Sequence, residues 1–326
     1  MIFSFSATAD FDFLTQFARH LRQPIKNDVL TIPDVLGTGY IRRLSFGPDF
    51  KITLHHYTLL EDLVIKRNTL EGGNDLITIF FYSNEQPLEI AFSNNPNVQF
   101  SQRDHSAIQV TSNDLSSTIR FPAHHHINYA VVGVMAPKLK AMLAPSQPNS
   151  ILQTVTGSGN SFLFFEHMTA ETKLLLKNMA GVNMNDPLSH FYVQIKVQEL
   201  LYLLFHKLSL RQSSVHQRIS SNDAERLLRI RNELLSDLSA PPVLRELAQL
   251  AAMSETKLKL LFKQTFGTTI YNYYQQARME EAAFLLKQGN SVAETGYELG
   301  FSNLSHFSRL FEKHYGLTPK RYSISA

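Results

Sequence analysis

Two short runs of polar and basic residues near the C-terminus carry side chains that can hydrogen-bond to the base edges of DNA. The first run comprises Ser254, Glu255, Thr256, Lys257 and Lys259, and the second comprises Ser302, Asn303, Ser305, His306 and Arg309. Hydroxyl, amide and basic groups match the donor and acceptor pattern of the major groove. Further basic residues nearby suit phosphates, whose contacts fix the position of a protein on DNA without reading its sequence. They are Lys263, Lys313, Lys320 and Arg321.

Each run is expected at the start of a helix, because the surrounding sequence is written twice. Leu258, Leu261, Phe262, Phe266, Gly267, Thr269 and Tyr273 recur 49 residues later as Phe307, Leu310, Phe311, Tyr315, Gly316, Thr318 and Tyr322. In each copy a short helix precedes a turn, at 252–253 or 300–301, and a capping serine, Ser254 or Ser302, begins the next helix. The pattern predicts two helix-turn-helix units joined by a helix at 270–287. Their second helices would enter the major groove by their N-terminal ends.

A solvated helix surface is the alternative interpretation of any one of these polar residues, and it is the ordinary one for a lysine on a surface helix. Two capped helices repeated in register favour DNA contact for the set as a whole. Glu255 stays open, because it can accept a hydrogen bond from cytosine or only stabilise the helix N-terminus. The repeated apolar residues are expected to form the core of each unit.

Two strings in this region resemble a known family. SVAETGYELGFSNLSHFSRLFEKHYGLTPKRY resembles the signature of the AraC/XylS family of bacterial transcription regulators, and LAQLAAMSETKLKLLFKQTFGTTIYNYYQQARMEEAAFLL resembles its first unit and linker helix. The resemblance spans residues 223–323, with Gly296 where an alanine is usual. It implies an effector-responsive activator that binds double-stranded DNA as a homodimer and contacts RNA polymerase. KLKLLFKQTFGTT also resembles a PchR-like, siderophore-sensing branch, which makes a siderophore one candidate effector.

The N-terminal half is expected to be rich in strands. Short apolar runs such as 76–82, 88–92 and 127–134 are bounded by clusters of Gly, Pro, Asn and Ser. Apolar residues at helical spacing predict helices at 170–180 and 188–208, which pack either into the same domain or against a second subunit. Residues 209–222, rich in Ser, Gln and Arg, are the predicted linker, and Ser221 or Asn222 is expected to cap the helix at 223–238 that follows it.

The predicted fold class is therefore α+β with several domains. Residues 1–165 form a β-rich effector-sensing domain, which the family resemblance implies to be a cupin-like barrel or sandwich. Residues 166–210 form a helical linker or dimerisation region, and residues 221–326 form the all-α tandem helix-turn-helix domain. No spacing singles out an effector site, although several aromatic and basic residues are available for one. They are Tyr40, Arg42, Arg43, His55, His56, Tyr57 and Lys66.

Three consecutive histidines suggest a competing metal site. On a strand, His124 and His126 would share one face, and with His55 or His105 they would supply three nitrogen ligands. Exposed polar residues near the start of a strand are the alternative that we favour, since no H-x-D/E pattern lies nearby. We expect no catalytic residue, metal or cofactor.

The composition excludes several other classes of protein. The chain has 326 residues, no cysteine and a formal net charge of +3. Disulfides and Cys-ligated zinc are therefore impossible, and the charge is too small to indicate a nucleic-acid partner by itself. The N-terminus makes a poor signal peptide, because Asp10 and Asp12 interrupt its apolar residues. No apolar stretch has the length of a membrane span, so we expect a cytoplasmic protein without a membrane partner.

Three functions remain in competition. The leading one is a ligand-responsive, sequence-specific transcription regulator. A second is a cupin-type metal-binding enzyme fused to a DNA-binding module, and a third is a constitutive DNA-binding dimer without an effector. A filled N-terminal barrel would favour the third.

Overall fold

The computed structural model describes residues 1–6, 8, 12–68, 75–83, 88–91, 99–100, 108–144, 146–183, 185–211 and 216–325. The chain divides into two compact units, Met1–Glu225 and Arg226–Ala326. Residues 166–210, predicted as a separate helical region, lie in the first unit with the strands. Among the described residues, none of the helices has both the length and the apolar character that a bilayer crossing requires.

Within the described residues, the strands of the first unit form two sheets. They are β1 Ile2–Ser6, β2 Val29–Thr31, β3 Gly37–Ser45, β4 Phe50–Leu59, β5 Leu63–Asn68, β6 Leu76–Tyr82, β7 Leu88–Ala91, β8 Gln99–Phe100, β9 Ile108–Ser112, β10 Ser117–Phe121, β11 His126–Met135 and β12 Leu163–Glu166. The strand orders are β1-β5-β10-β7-β8 and β12-β9-β6-β11-β4-β3-β2. Neighbours pair antiparallel, except that β1 pairs parallel to β5. The predicted β-rich N-terminal region is confirmed.

The larger sheet separates two environments, because successive side chains of a strand point to opposite faces. On β4, Phe50, Ile52 and Leu54 belong to the large apolar core that the helices of this unit complete. Thr53 and His55, which alternate with them, line a cavity together with residues of the smaller sheet. One face of the sheet is therefore packed core, and the other borders an internal space.

Five helices accompany these sheets in the described part of the first unit. They are α1 Phe13–Leu21, α2 Ala136–Leu143, α3 Ser150–Thr156, α4 Ala170–Ala180 and α5 Ser189–Leu210. The helices predicted at 170–180 and 188–208 are thus confirmed as α4 and α5. One side of α5 buries Val193, Val197 and Leu200 in the core, which is the intradomain packing that the sequence left as one of two alternatives.

The predicted linker at 209–222 differs from the structure. Its first two residues complete α5, and Ile219 is buried. The carbonyl of Ile219 accepts a hydrogen bond from Ser161 Oγ at 2.5 Å. Residues 212–215 lie outside the described residues. The polar composition suggested a free connection, but the described part of the segment is attached to the first unit.

The C-terminal unit is helical, as predicted. Its helices are α6 Ser221–Ser236, which begins in the first unit, α7 Leu244–Leu250, α8 Glu255–Phe266, α9 Ile270–Lys287, α10 Val292–Glu298, α11 Leu304–Tyr315 and α12 Pro319–Ser325. A cap at Ser221 or Asn222 was predicted for α6, but Ser220 Oγ accepts from the Asp223 N–H instead. That prediction is wrong by one residue, because three adjacent polar residues can all cap a helix.

The long helix α9 contributes to the cores of both helix-turn-helix units. Its Tyr273 ring lies 5.5 Å from the Phe262 ring of α8, edge to face. Further along, Met279 and Ala282 are buried with Phe307 of α11. The repeated apolar residues are therefore packing residues of the two units.

Candidate functional site

In the first helix-turn-helix unit, α7 ends in a turn that reverses the chain into α8. The Met253 N–H donates to the Ala248 carbonyl at 3.0 Å, the Ala252 N–H donates to the Gln249 carbonyl at 2.9 Å, and Ala252 has a φ of +48°. This pair of bonds around a left-handed residue is a Schellman motif. Ser254 then begins α8, since its Oγ accepts from the Lys257 N–H at 3.2 Å. The predicted cap at Ser254 is confirmed.

The second helix-turn-helix unit repeats the Schellman motif with glycine in the left-handed position. The Phe301 N–H donates to the Gly296 carbonyl at 2.9 Å, and Gly300 has a φ of +73°. The cap of α11 is Asn303, whose Oδ1 accepts from the N–H groups of Ser305 and His306 at 2.9 and 3.1 Å. The predicted cap at Ser302 is wrong, because the second turn is one residue longer than the first.

The predicted DNA-contact residues are all exposed. This holds for Ser254, Glu255, Thr256, Lys257, Lys259, Lys263, Ser302, Asn303, Ser305, His306, Arg309, Lys313, Lys320 and Arg321. Most occupy the first turns of α8 and α11, whereas Lys320 and Arg321 lie on α12. Glu255 Oε2 lies 3.8 Å from Lys259 Nζ. This surface ion pair gives Glu255 a partner on its own helix.

The two recognition helices differ in charge at matched positions. Three lysines, Lys257, Lys259 and Lys263, point from α8 toward solvent. The positions 49 residues later hold His306, Ser308 and Glu312. In return, Arg309 is exposed on α11 where α8 has the half-buried Leu260. The first helix is the more strongly cationic, and the second offers one planar guanidinium.

Arg278 of α9 holds the second turn in place. It is buried, its Nη2 donates to the Leu299 carbonyl, and its guanidinium carbon lies 3.7 Å from the centre of the Phe301 ring. In the first turn an exposed bond takes this role, from Arg226 Nη1 to the Ala252 carbonyl at 3.2 Å. Both turns are thus fixed by an arginine of a neighbouring helix, but in different environments.

The helices that precede the turns are also capped differently. Ser291 Oγ accepts from the Glu294 N–H, and the Glu294 carboxylate accepts from the Ser291 N–H at 2.9 Å. This capping box satisfies two helix N–H groups, and the bond from the Ser291 backbone lowers the pKa of the Glu294 carboxyl. At the start of α7 the cap is Val243, which has no side-chain acceptor.

Close approach of α10 and α11 depends on Gly296. A Cβ at this position would lie 2.5 Å from Leu304 Cδ2 and 3.2 Å from Phe307 Cδ1. Glycine thus leaves room for Leu304 and Phe307 at a position where alanine is usual in the family that the sequence resembles.

Comparison with known proteins agrees with this geometry. Residues 247–323 match a family model described as a helix-turn-helix domain. An uncharacterized HTH-type transcriptional regulator of Haemophilus influenzae is 31% identical over 130 residues, which cover 39% of this chain and 42% of that protein. The Escherichia coli transcriptional activator CfaD is 29% identical over 157 residues, 48% of this chain and 56% of that protein. The C-terminal unit is an AraC/XylS-family domain.

The residues that match the family model, 247–323, lie within the C-terminal unit. The chain spans about half the length of the curated relatives it matches. The structure of an apo ToxT variant from Vibrio cholerae covers 85% of this chain and 97% of that chain, at 12% identity and a TM-score of 0.35. At this score the likeness supports no argument about the first unit. The PchR-like branch stays a prediction.

Outside the AraC-type domain, the first unit contains a cavity of about 140 Å³ lined by both sheets and α1. Charged residues at one part of its wall are paired: Asp12 Oδ2 lies 2.8 Å from Arg43 Nη1 and 3.6 Å from Lys51 Nζ. Burial opposes ionisation of Asp12, but hydrogen bonds from the Thr15 N–H and from Arg43 outweigh it and lower the pKa of this carboxyl.

The cavity includes some of the residues suggested for an effector site. Arg43 and His55 line it, whereas Tyr40, Arg42, His56, Tyr57 and Lys66 do not. The sequence did not single out Arg67, which lies in the wall and shares one face of β5 with Leu63 and Ile65. The two-residue spacing from these apolar residues was the available signal, because it places a basic residue on the buried face of a strand.

His124 and His126 do not share a strand face, as the competing metal site would require. His124 has a φ of +61° and precedes β11, so it does not share a strand face with His126. The His126 ring lies 4.4 Å from that of His56, while His55 is buried and lines the cavity. Among the described residues no group of three potential ligands could hold a metal. His105 lies outside the described residues.

The solvent side of α5 carries large apolar residues. Leu188, Phe191, Ile195 and Tyr202 are exposed, with Leu188 just before the helix. The spacing from Leu188 to Ile195 and from Ile195 to Tyr202 is seven residues each, which is typical of a coiled-coil seam. The dimer seam left open by the sequence therefore has a surface available to it.

Proposed function

We propose that this protein is a sequence-specific DNA-binding transcription regulator that responds to a small molecule. The observation that carries the proposal is the repeated geometry of α8 and α11. Each follows a Schellman turn, each is capped, and each presents exposed polar and basic residues from its first turns. The names of the curated relatives, a transcriptional regulator and a transcriptional activator, support it.

In this proposal, α8 and α11 lie in successive segments of the major groove. Lys257 of α8, with His306 and Arg309 of α11, contact base edges, because residues near the N-terminus of a recognition helix reach furthest into the groove. Lys263 and Lys313 lie nearer the helix C-termini and contact phosphates. Ser254 and Asn303 already use a side-chain oxygen in capping, so they contribute chiefly by fixing the helix ends.

The test begins with a duplex selected from a random library by the wild-type protein. Arg309→Ala is expected to weaken binding of that duplex by about 1–3 kcal/mol and to relax specificity at one position. Lys263→Ala is expected to weaken all duplexes alike and to reduce the slope of log affinity against log salt by about 1. Fluorescence anisotropy over a salt series measures both.

Lys140→Ala is the matched control, because Lys140 is an exposed lysine of α2 in the first unit. It should leave affinity and salt slope unchanged. Unchanged operator affinity of both Arg309→Ala and Lys257→Ala would reject this assignment of base-reading residues. Failure of the wild-type protein to enrich any duplex would reject the function itself.

The cavity favours an effector over the rival functions. A constitutive DNA-binding dimer needs no internal space, yet the first unit has one of about 140 Å³. A cupin-type enzyme needs a ligand set that His124 and His126 do not provide together. A siderophore is a large molecule for this volume, so the proposal names a smaller effector.

We extend the proposal to a homodimer formed through α5. Burying Phe191, Ile195 and Tyr202 against a second copy would remove apolar surface from water. Ile195→Glu is expected to shift the protein from dimer to monomer in sedimentation velocity. Lys173→Glu, at an exposed position of α4, should leave the dimer intact. A wild-type monomer at all concentrations would remove the dimer from the proposal.

The remaining elements of the proposal concern the cell. The regulator would act in the cytoplasm, bind near promoters and activate transcription by contacting RNA polymerase. It carries out no reaction of its own. Transcription in vitro from a promoter that contains the selected duplex, with and without the protein, distinguishes activation from repression.

A further inference from the structure

Arg67 is a buried cation in the wall of the cavity. It lies on β5 between Phe5 of β1 and Ser117 of β10, and only 4% of its surface is exposed. Leu63 and Ile65, on the same face of β5, are buried apolar residues. The residues beside Arg67 on this face of β1, β5 and β10 are therefore apolar or neutral.

The hydrogen bonds of Arg67 reach neutral groups. Nη1 donates to Thr78 Oγ1 at 3.3 Å and Nη2 donates to the Leu115 carbonyl at 2.9 Å. Nε is buried and has no hydrogen-bond partner among the residues that the structure describes. Within the described part of the chain, no carboxylate oxygen lies within 4.0 Å of a guanidinium nitrogen of Arg67, so Arg67 has no ion pair there.

The charge on Arg67 persists despite its burial. Burial lowers the pKa of Arg67 to about 10, and Asp114 and Tyr82 oppose this only through space. Arg67 is thus protonated at neutral pH. A buried charge without a counter-charge is strongly unfavourable, and Arg43 shows the usual solution in the same wall, since it pairs with both Asp12 and Asp28.

The remainder of the cavity suits a compact apolar group. Phe80, Val131 and Met135 line it and are only half-buried. Gly133 leaves further room beside them, because a Cβ there would meet Leu76 Cδ1 at 3.7 Å as its one neighbour within 4 Å. An apolar cavity of about 150 Å³ accommodates benzene, so the volume here matches one small ring or a short branched chain.

A second polar atom in the wall lacks a partner. His55 Nδ1 is buried without a hydrogen bond, while its Nε2 lies 2.9 Å from Thr53 Oγ1. Burial lowers the pKa of His55 to about 3, so the ring is neutral and adds no charge to that of Arg67. Among the described residues that line the cavity, Arg67 is thus the cation without a carboxylate in ion-pair contact.

We propose that this cavity binds a small monocarboxylate with a compact apolar body, and that the carboxylate pairs with Arg67. The apolar body lies against Phe80, Val131 and Met135. Binding supplies the missing counter-charge and an acceptor for Nε. The role of this ligand as the effector rests on the function proposed for the whole protein, but its binding does not.

Matched acids and amides test the proposal on the full-length protein. Benzoate is expected to bind at least about tenfold more tightly than benzamide, because a hydrogen bond between charged groups is stronger than one to a neutral group. Hexanoate and hexanamide form a second pair with a flexible body. Isothermal titration calorimetry without DNA gives the four dissociation constants.

Two variants separate the charge from the space. Arg67→Gln should abolish the preference for benzoate over benzamide, and Gly133→Val should weaken the binding of both by filling the cavity. If Arg67→Gln does not fold by circular dichroism, the preference of the wild-type protein and the effect of Gly133→Val still decide the outcome. Equal affinity for acid and amide, or no binding of either acid at millimolar concentration, overturns the proposal.

Operator binding is measured separately on the same protein. If the protein binds benzoate but its operator affinity does not change with benzoate, the binding site is supported and the ligand-responsive part of the proposed function is rejected. A protein that selects an operator and binds neither acid loses this inference alone.

Discussion

The two helix-turn-helix units reach the same turn geometry by different means. In the first, Ala252 adopts the left-handed conformation and its carbonyl accepts an exposed hydrogen bond from the half-buried Arg226. In the second, Gly300 adopts it against the backbone of Ser239, and buried Arg278 holds the turn. The first turn is thus held by an exposed hydrogen bond, whereas the second is held by a buried one in the interior of its helix-turn-helix unit.

The difference shows that a repeated sequence does not imply repeated energetics. Both turns close the same hydrogen bonds, yet the side chains that stabilise them are not the repeated ones. Ser291 caps α10 where Val243 begins α7, and Arg278 has no buried counterpart at the first turn among the described contacts. We therefore expect matched substitutions in the two units to have unequal effects.

The largest difference is expected at Gly300. A Cβ there would lie 1.8 Å from the Ser239 carbonyl oxygen, and the positive φ adds strain. Gly300→Ala should therefore lower the free energy of unfolding by about 3 kcal/mol or more. Urea unfolding followed by far-UV circular dichroism measures the loss, and amide hydrogen exchange in α11 locates it.

Gly316→Ala is the control for this substitution. Gly316 has a φ of +70°, but a Cβ there would have no atom within 4 Å. Only about 1 kcal/mol should be lost. Equal losses at the two glycines would show that the approach of Ser239 does not matter.

Next in size is the loss of Arg278. Arg278→Ala should destabilise the protein by about 2 kcal/mol, because it removes the stacking on Phe301 and leaves the Leu299 carbonyl without its donor. Arg226→Ala removes the corresponding exposed bond and should cost less than about 0.5 kcal/mol. The same urea experiment compares them, and similar losses would contradict the distinction between interior and exposed turns.

A smaller effect is expected from exchanging the helix caps. Ser291→Ala should cost about 1 kcal/mol, since it breaks the capping box with Glu294. Val243→Ser should raise the stability by a similar amount. Val243 already has the extended backbone angles of a cap, and Glu246, three residues later, can complete a capping box. Thermal unfolding measures both. A destabilising Val243→Ser would mean that exposed Val243 makes a packing contribution larger than a cap.

The smallest effect is expected at Ala252. Ala252→Gly relieves the left-handed strain but increases the entropy of the unfolded chain, and the net gain should be about 0.5 kcal/mol. Thermal unfolding again gives the value. A loss of stability would show that Ala252 is not strained and would remove one half of the comparison.

Local sequence rules predicted the helices of the C-terminal unit and most of its turns. The cap at Ser254, the turn at Gly300 and the packing of the apolar repeat each follow from a residue and its neighbours in the sequence. The predicted cap at Ser302 was wrong because serine and asparagine cap helices about equally well. The backbone conformation decides which of the two residues begins α11. The competing metal site assumed that His124 shares a strand face with His126, and the positive φ of His124 ahead of β11 rules out that assumption.

The buried side of the first unit could not be predicted in the same way. Arg67 carries a signal in its two-residue spacing from Leu63 and Ile65, but the absence of a carboxylate partner among the described residues depends on strands far apart in sequence. The same is true of the cavity, whose wall joins β5 to β6 and β11. Attachment of Ile219 to Ser161 likewise depends on residues far apart in the sequence.

The extra residue of the second turn restricts how these units can be recombined. From α7 to α10 the repeat is 48 residues, and from α8 to α11 it is 49. A graft of one recognition helix onto the other scaffold must therefore join the segments at the cap, between 253 and 254 or between 302 and 303. A junction placed by aligning the whole repeat would shift the transplanted helix by one position, about 100° around its axis, and would turn its reading surface away from the groove.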